Sequence, residues 1–198
     1  MRVMQQNLNH CEAAQDLLLQ TVTEVKPDLL LISESYRKHE RLHWISDSTG
    51  KATIWSCNGL PFQSTNENEQ GGFVMAKLED IHFYSCYAPP SYDMRAFADF
   101  LDRLTADAGG HSPVAIAGDF NSRAVDWVSK VTNPKGQALE AFTSLDVVLL
   151  NRGSKWTFEK GGKGSIADLT FVSQCLASDN NYWEVTDIFH LSDHHLIC

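Results

Sequence analysis

Apolar residues fall along this chain in two rhythms. Short runs that are apolar at nearly every position alternate with stretches in which apolar residues recur every third or fourth place. The first rhythm belongs to strands buried on both faces, the second to helices with one buried face. Arg2 to Leu8 reads as a strand. Asn9, with Glu12 three residues on, has the form of a capping box, and Ala14, Leu17, Leu18, Val22 and Val25 carry a helix that stops before Pro27. Asp28 to Ser33 is then a buried strand that delivers Glu34 to its end. Ala52 to Ser56, Gly71 to Leu78 and Ile81 to Tyr87 follow as strands, the last two joined at a tight Glu79-Asp80 corner. Met94, Phe97, Phe100 (or Leu101) and Leu104 mark a second helix. A further strand lies at Val114 to Gly118, and a third, shorter helix near Gln137 to Phe142. Asp146 to Leu150, Trp156 to Phe158, Asp168 to Ser173, Trp183 to Phe189 and His194 to Cys198 complete the strands. Ser64 to Gln70 and Lys160 to Gly164 read as loops. Strands that neither alternate strictly with helices nor stand alone imply an α/β fold in which sheets carry helices on their outer faces.

Length and composition narrow the class. At 198 residues the chain is expected to form one domain with a core that needs no disulfide or metal staple. With 43% apolar and 21% charged residues it is ordinary for a globular protein. No apolar run approaches a membrane span, and no basic region followed by an apolar stretch opens the chain. Cysteines at 11, 57, 86, 175 and 198 are odd in number and lack C-x-x-C spacing, which points to reduced thiols of an intracellular protein and to their packing as small hydrophobes. The net charge of −9 argues against a purely electrostatic nucleic-acid binder. It argues less against a metal-dependent enzyme, because carboxylates that hold a cation are themselves acidic and the cation inverts the local field.

The densest chemistry sits at Ala115-Ile116-Ala117-Gly118-Asp119-Phe120-Asn121. A buried strand ends there in a carboxylate and a carboxamide two residues apart, which share a face if the extended geometry continues. A carboxylate accepts a proton or binds a metal, and an amide orients a water or a phosphate oxygen. Glu34, Asp168 and Asp193 likewise stand at the edges of apolar runs, and Asn7 ends the first strand. Such a set suits a hard divalent cation, which takes oxygen ligands. In Ser192-Asp193-His194-His195 a carboxylate adjoins two histidines. A charged, oriented imidazole suits a phosphate that develops negative charge, but neighbouring strand residues face opposite ways, so only one of the two faces the site. Arg123, beside Asn121, is a candidate phosphate contact. Lys160 and Lys163 fit either a DNA-touching hairpin or a solvated loop, and most of the five tryptophans are expected in the core.

Taken in order, Gln6-Asn7, Ser33-Glu34, Tyr87-Ala88-Pro89, Gly118-Asp119-Phe120-Asn121, Ser165-Ile166-Ala167-Asp168-Leu169-Thr170-Phe171 and Ser192-Asp193-His194 resemble the motifs of the endonuclease/exonuclease/phosphatase superfamily. Trp156-Thr157-Phe158 and Asn133-Pro134-Lys135-Gly136, with Leu139 and Phe142, are similar to its apurinic-type branch found in non-LTR retrotransposons. The resemblance implies a DNase I-like, four-layer arrangement, a two-sheet β-sandwich flanked by helices with the site at one edge. It implies Glu34 as principal metal ligand with Asn7 close by, and Asp193 assisting the metal or the histidine. Asp119 would activate water, Asn121 would hold that water or a phosphate oxygen, Tyr87 would contact the scissile phosphate, and Asp168 would orient His194. Arg123 and Ser165 are the expected substrate contacts. Ala167 departs from the pattern, where a branched aliphatic residue is more usual.

On this reading the chain is a Mg²⁺-dependent DNA endonuclease, with Mn²⁺ an acceptable substitute. Its nick would leave a 3′-hydroxyl that primes the reverse transcriptase domain of the same polyprotein, in the nucleus, without membrane attachment. The domain is expected to be monomeric and excised from a longer polyprotein, its last strand cut at Cys198. The alternatives are a phosphatase or phosphodiesterase of the same superfamily acting on a lipid or small phosphate, and a catalytically dead interaction module.

Overall fold

A computed structural model describes residues 1–38, 43–177 and 182–198. Two sheets stack face to face, with helices on both outer faces. The first sheet holds β1 (Val3–Asn7), β2 (Leu29–Ser33), β3 (Trp44–Ser46) and β4 (Ala52–Ser56), in the order β1-β2-β4-β3. The second holds β5 (Ser64–Asn66), β6 (Phe73–Leu78), β7 (Ile81–Tyr87), β8 (Val114–Asp119), β9 (Val147–Leu149) and β12 (Asp168–Ser173), in the order β5-β6-β7-β8-β12-β9. β10 (Phe158–Lys160) and β11 (Lys163–Ser165) form a separate hairpin. Helix α1 (Glu12–Val25) covers the first sheet. Helices α2 (Met94–Ala108) and α3 (Pro134–Glu140) cover the second. This is the α/β two-sheet sandwich expected from the sequence.

The continuous apolar runs are explained by two buried faces per strand. Leu29 and Leu31 point between the sheets, while Leu30 and Ile32 point at α1. In β8, Ala115 and Ala117 face the first sheet and Ile116 faces α2. The small side chains on the inner face let the sheets approach at this point. Ser33 Oγ donates to the Cys86 carbonyl (3.0 Å) and Ser85 Oγ to the Ile32 carbonyl (3.1 Å), which ties β2 to β7 across the sandwich.

Strand direction decides where the polar ends of these runs meet. β1 pairs parallel with β2, and β7 parallel with β8, each pair joined through a helical crossover. β12 runs antiparallel to β8, with Asp168 opposite Asp119. The carboxyl ends of β1, β2, β7 and β8 and the start of β12 are thereby gathered at one edge. Gly118 is needed there, since a Cβ on it would lie 1.9 Å from the Cys86 carbonyl oxygen.

Several sequence expectations are corrected. Asn9 does not cap α1: it takes a left-handed φ of 48°, and the helix begins after Cys11, which has no side-chain cap. The segments expected as strands at Trp183 to Phe189 and His194 to Cys198 pair only at isolated bridges, Val185 and Gln5 each opposite Ile197 and Phe158 opposite His194. The strand expected at Trp156 to Phe158 starts at Phe158 instead. Ser64 to Gln70 opens with the short strand β5, and Lys160 to Gly164 spans the tip of the β10–β11 hairpin. No helix among the described residues is long and apolar enough to cross a membrane.

Candidate active site

The gathered edge carries the polar residues singled out in the sequence. Asp119 is buried at the end of β8 and accepts from the amides of Asn7 (2.9 Å) and Asn121 (2.9 Å) through Oδ2, and from the Asn121 backbone N–H (2.9 Å) through Oδ1. Asp119 and Asn121 meet as expected, but not by continued extension. The chain turns at Asn121, whose φ is 45°, and the side chain folds back onto the carboxylate two residues earlier. Asn7 bridges the two sheets, since its amide also reaches Glu34 Oε2 (3.3 Å). Glu34 itself holds a left-handed backbone, φ 51°, fixed by its N–H donating to the Lys51 carbonyl (2.8 Å) and its carbonyl accepting from His10 (3.0 Å). A non-glycine residue in that region costs on the order of 1–3 kcal/mol, a strain that collects at functional sites. Tyr87, opposite Asp119 on β7, directs its hydroxyl to the Glu34 carboxylate.

His194 lies under this group, buried, with Nδ1 donating to Asp168 Oδ2 (2.8 Å) and Nε2 3.9 Å from Asp119 Oδ2. The Phe158 ring packs against it at 4.9 Å between centroids. His195 turns away, to His190 (3.0 Å) and toward Glu159 (3.9 Å), so the alternation of faces along this segment holds.

The charges are out of balance. Burial, and then the Asp168 carboxylate, push Asp119 up to about 7, against the pull of His194 and of the Asn121 and Asn7 hydrogen bonds. Burial alone would lower the His194 imidazole, but the carboxylates of Asp168, Asp119 and Glu34 outweigh it and raise the group to about 9. Burial and the Glu34 hydrogen bond raise the Tyr87 hydroxyl far above its ordinary range. Three carboxylates thus share one imidazolium, and Asp168 Oδ1 is buried with no hydrogen-bond partner among the described residues. Asp119, Asp168 and His194 place ligand atoms within 4.8 Å of one another. An oxygen-rich, under-neutralised site of this kind fits a hard divalent cation.

Two sequence candidates border this cluster and one leaves it. Arg123 and Ser165 line a groove of ≈ 510 Å³ beside His194 and Asn121. Asp193 faces outward, accepting from Lys160 Nζ (2.8 Å) and Asn9 Nδ2 (3.0 Å), and stands apart from the Asp119–Asp168–His194 group. Other residues position the site without having been given a role from sequence. Thr157, fully buried, accepts the Ala167 and Asp168 backbone N–H groups on one hydroxyl (both 3.0 Å) and so fixes the start of β12. Ser192 accepts from the His194 N–H (3.1 Å) and donates to the Asn7 carbonyl (2.7 Å). A lone threonine between two aromatics is the signal that marks Thr157; Ser192 carries none beyond its place before Asp-His.

A family model described as endonuclease-reverse transcriptase matches residues 81–198. No curated protein matches the sequence. Among solved structures, the endonuclease domain of TRAS1, a telomere-specific non-LTR retrotransposon, superposes with a TM-score of 0.80 at 23% identity, over 99% of this chain and 95% of that one. An AP endonuclease from Archaeoglobus fulgidus gives 0.75 at 15% identity, over 100% and 97%. The 3′ phosphatase NExo from Neisseria, bound to a product DNA hairpin, gives 0.75 at 13% identity, over 100% and 97%. At these identities the likeness is one of fold.

Proposed function

The chain belongs to the endonuclease-reverse transcriptase family, within the endonuclease/exonuclease/phosphatase superfamily, and on that premise we propose that it is a metal-dependent endonuclease that nicks a phosphodiester in DNA. The observation that carries the reading is the buried Asp119–Asp168–His194 cluster, joined to Glu34 through Asn7 and opening on the groove that holds Arg123.

Each residue has a task that its surroundings support. Asp119, raised toward neutrality, is suited to take a proton from an attacking water, and Asn121, folded onto it, to hold that water or a phosphate oxygen. His194, charged across the neutral range and oriented by Asp168, is suited to donate to the phosphate oxygen on which charge develops. The Tyr87 hydroxyl remains protonated and able to donate to the scissile phosphate. Glu34, with Asn7 beside it, would hold Mg²⁺ or Mn²⁺. Such a cation would neutralise developing phosphate charge and orient the phosphate. Asp193, next to His194 and paired with Lys160, would assist the cation or the histidine.

In this reading the nick leaves a 3′-hydroxyl that primes a reverse transcriptase carried on the same polyprotein and acting in the nucleus. The test incubates the protein with supercoiled plasmid and Mg²⁺, then offers the nicked product to a polymerase. Open circles that extend without prior phosphatase treatment are expected. Intact plasmid together with release of phosphate from a small phosphomonoester would replace this reading with the phosphatase one. Neither activity would leave a dead module.

A further inference from the structure

Resting on the endonuclease reading, we propose that Lys51 receives a backbone phosphate of the DNA substrate on the first-sheet side of the site. Lys51 immediately precedes β4, and since Ala52 pairs with Ser33, it stands opposite Glu34. Its carbonyl accepts the Glu34 N–H (2.8 Å), so its main chain is part of the frame that sets the Glu34 conformation. Its side chain is exposed and places Nζ 5.5 Å from the centroid of the Tyr87 ring.

The backbone that carries Lys51 is held by a buried charge. Asp47 is fully buried, and its carboxylate accepts from the N–H groups of Lys51 (2.9 Å), Ala52 (3.2 Å) and Gly72 (2.8 Å) and from Thr49 Oγ1 (2.8 Å). The Gly72 carbonyl in turn accepts the Tyr87 N–H (2.8 Å). One carboxylate therefore fixes the main chain of Lys51 and, through Gly72, that of Tyr87, on two different sheets. The lysine is anchored at its root and free at its tip.

Position, beside Glu34 and Tyr87 and outside any ion pair among the described residues, is what marks Lys51. Lys160, at the same edge, is paired with Asp193, and Arg37, Lys77, Arg103 and Lys155 are paired elsewhere. Lys51 makes no ion pair among the described residues, although it stands next to Glu34 in space. An exposed ammonium held against an aromatic ring gains little from the ring alone. An ammonium beside Glu34 and Tyr87, at the rim of a phosphodiester site, meets a polyanion that carries one charge per roughly 1.7 Å of duplex. Lys51 comes from the first sheet, just before β4, and Arg123 from the second, just after β8, so the two cations reach the site from different sheets.

The test titrates duplex DNA onto the full chain carrying Asp119→Asn, at fixed Mg²⁺ and several salt concentrations, with and without Lys51→Ala, Lys51→Gln or Lys51→Arg. Removing the charge is expected to weaken binding several-fold and to reduce the slope of log K against log salt by about 0.9, with Lys51→Arg restoring both. Lys26→Ala, at the far end of α1, is the control. In the cleaving protein, Lys51→Ala should raise KM by more than it lowers kcat. Binding with an unchanged slope in Lys51→Ala overturns the contact and leaves the endonuclease reading standing. No binding of DNA by the Asp119→Asn parent even at low salt overturns both.

Discussion

Asp168→Asn separates charge from orientation at His194. The amide keeps the shape of the carboxylate and an oxygen to accept the Nδ1–H, now 2.8 Å away, but removes the negative charge that holds the imidazole protonated. With Asp168 in place the group sits at about 9, so at pH 8 roughly nine-tenths of the molecules carry the charge. Without it, burial opposes the remaining pull of Asp119 and Glu34, and an imidazole returned to its ordinary 6.5 is only about 3% charged at pH 8. If the phosphate requires the charged form, the variant should nick about 30-fold more slowly than the parent at pH 8. The deficit should close to within about twofold at pH 6, where even a 6.5 group is about three-quarters charged. Asp168 is also the largest neighbouring charge that raises Asp119, so its loss favours the base in acid and closes the gap further. The assay is the initial rate of supercoiled-to-open-circle conversion from pH 5.5 to 9 at saturating Mg²⁺, with thermal melts to show that both proteins are folded. A deficit of constant size across that range would refute the electrostatic role and leave Asp168 an orienting residue alone.

The two histidines should differ sharply: His194→Ala is expected to slow nicking at least about 10²-fold and His195→Ala to leave it nearly unchanged, as scored by plasmid nicking. Asp119→Asn should abolish turnover while DNA binding persists, with a shallow salt slope on the order of two to four phosphates, measured by fluorescence titration. Without metal, Asp119 is destabilising as it ionises from about 4 up through 7, and the stabilisation from charged His194 is lost as pH rises from 6.5 through 9. The melting temperature in EDTA should therefore fall from pH 5 to pH 9, and Mg²⁺ should restore more of it at pH 8 than at pH 6. Gly118→Ala, whose Cβ meets the Cys86 backbone, should cost about 3 kcal/mol or more in urea unfolding.

The sequence makes legible whatever one element decides alone. Leu29 to Ile32 and Val114 to Gly118 are strands because every position is buried, and the α2 stripe of Phe97, Phe100, Leu101 and Leu104 is a helix face. The residues at the ends of those runs, Glu34, Asp119 and Asp168, are visible for the same reason. The burying of His194 rather than His195 follows from alternation once one face is chosen. Features built by two distant segments stay hidden. Asn9 has the pattern of a helix cap, yet its amide is drawn to Asp193, 184 positions away. Asp193 is visible as the residue before His194, but its pairing with Lys160 on the β10 strand is not. Asp47 gives little sign of its role, since a residue that accepts main-chain N–H groups from another segment needs no periodicity. The short strands β3 and β5 carry too few residues for a pattern and exist because a neighbouring strand offers an edge.

The site exists because of strand direction before it exists because of any residue. An antiparallel pair places one carboxyl end and one amino end at each edge, so two consecutive strand-end motifs would lie at opposite edges of the sandwich. Here each sheet contains one parallel pair, β1 with β2 and β7 with β8, and each pair depends on a helix that carries the chain back. The first pair brings Asn7 and Glu34 to one edge, and the second brings Tyr87 and Asp119. The antiparallel approach of β12 then adds Asp168 from its amino end, directly opposite Asp119. Burial between two stacked sheets turns this convergence into chemistry. It removes the water that would screen three carboxylates from each other, raises Asp119 toward neutrality, and holds His194 charged. The same imbalance would favour a divalent cation at that edge, and in a chain of net charge −9 a phosphate would approach the carboxylates only through such a cation.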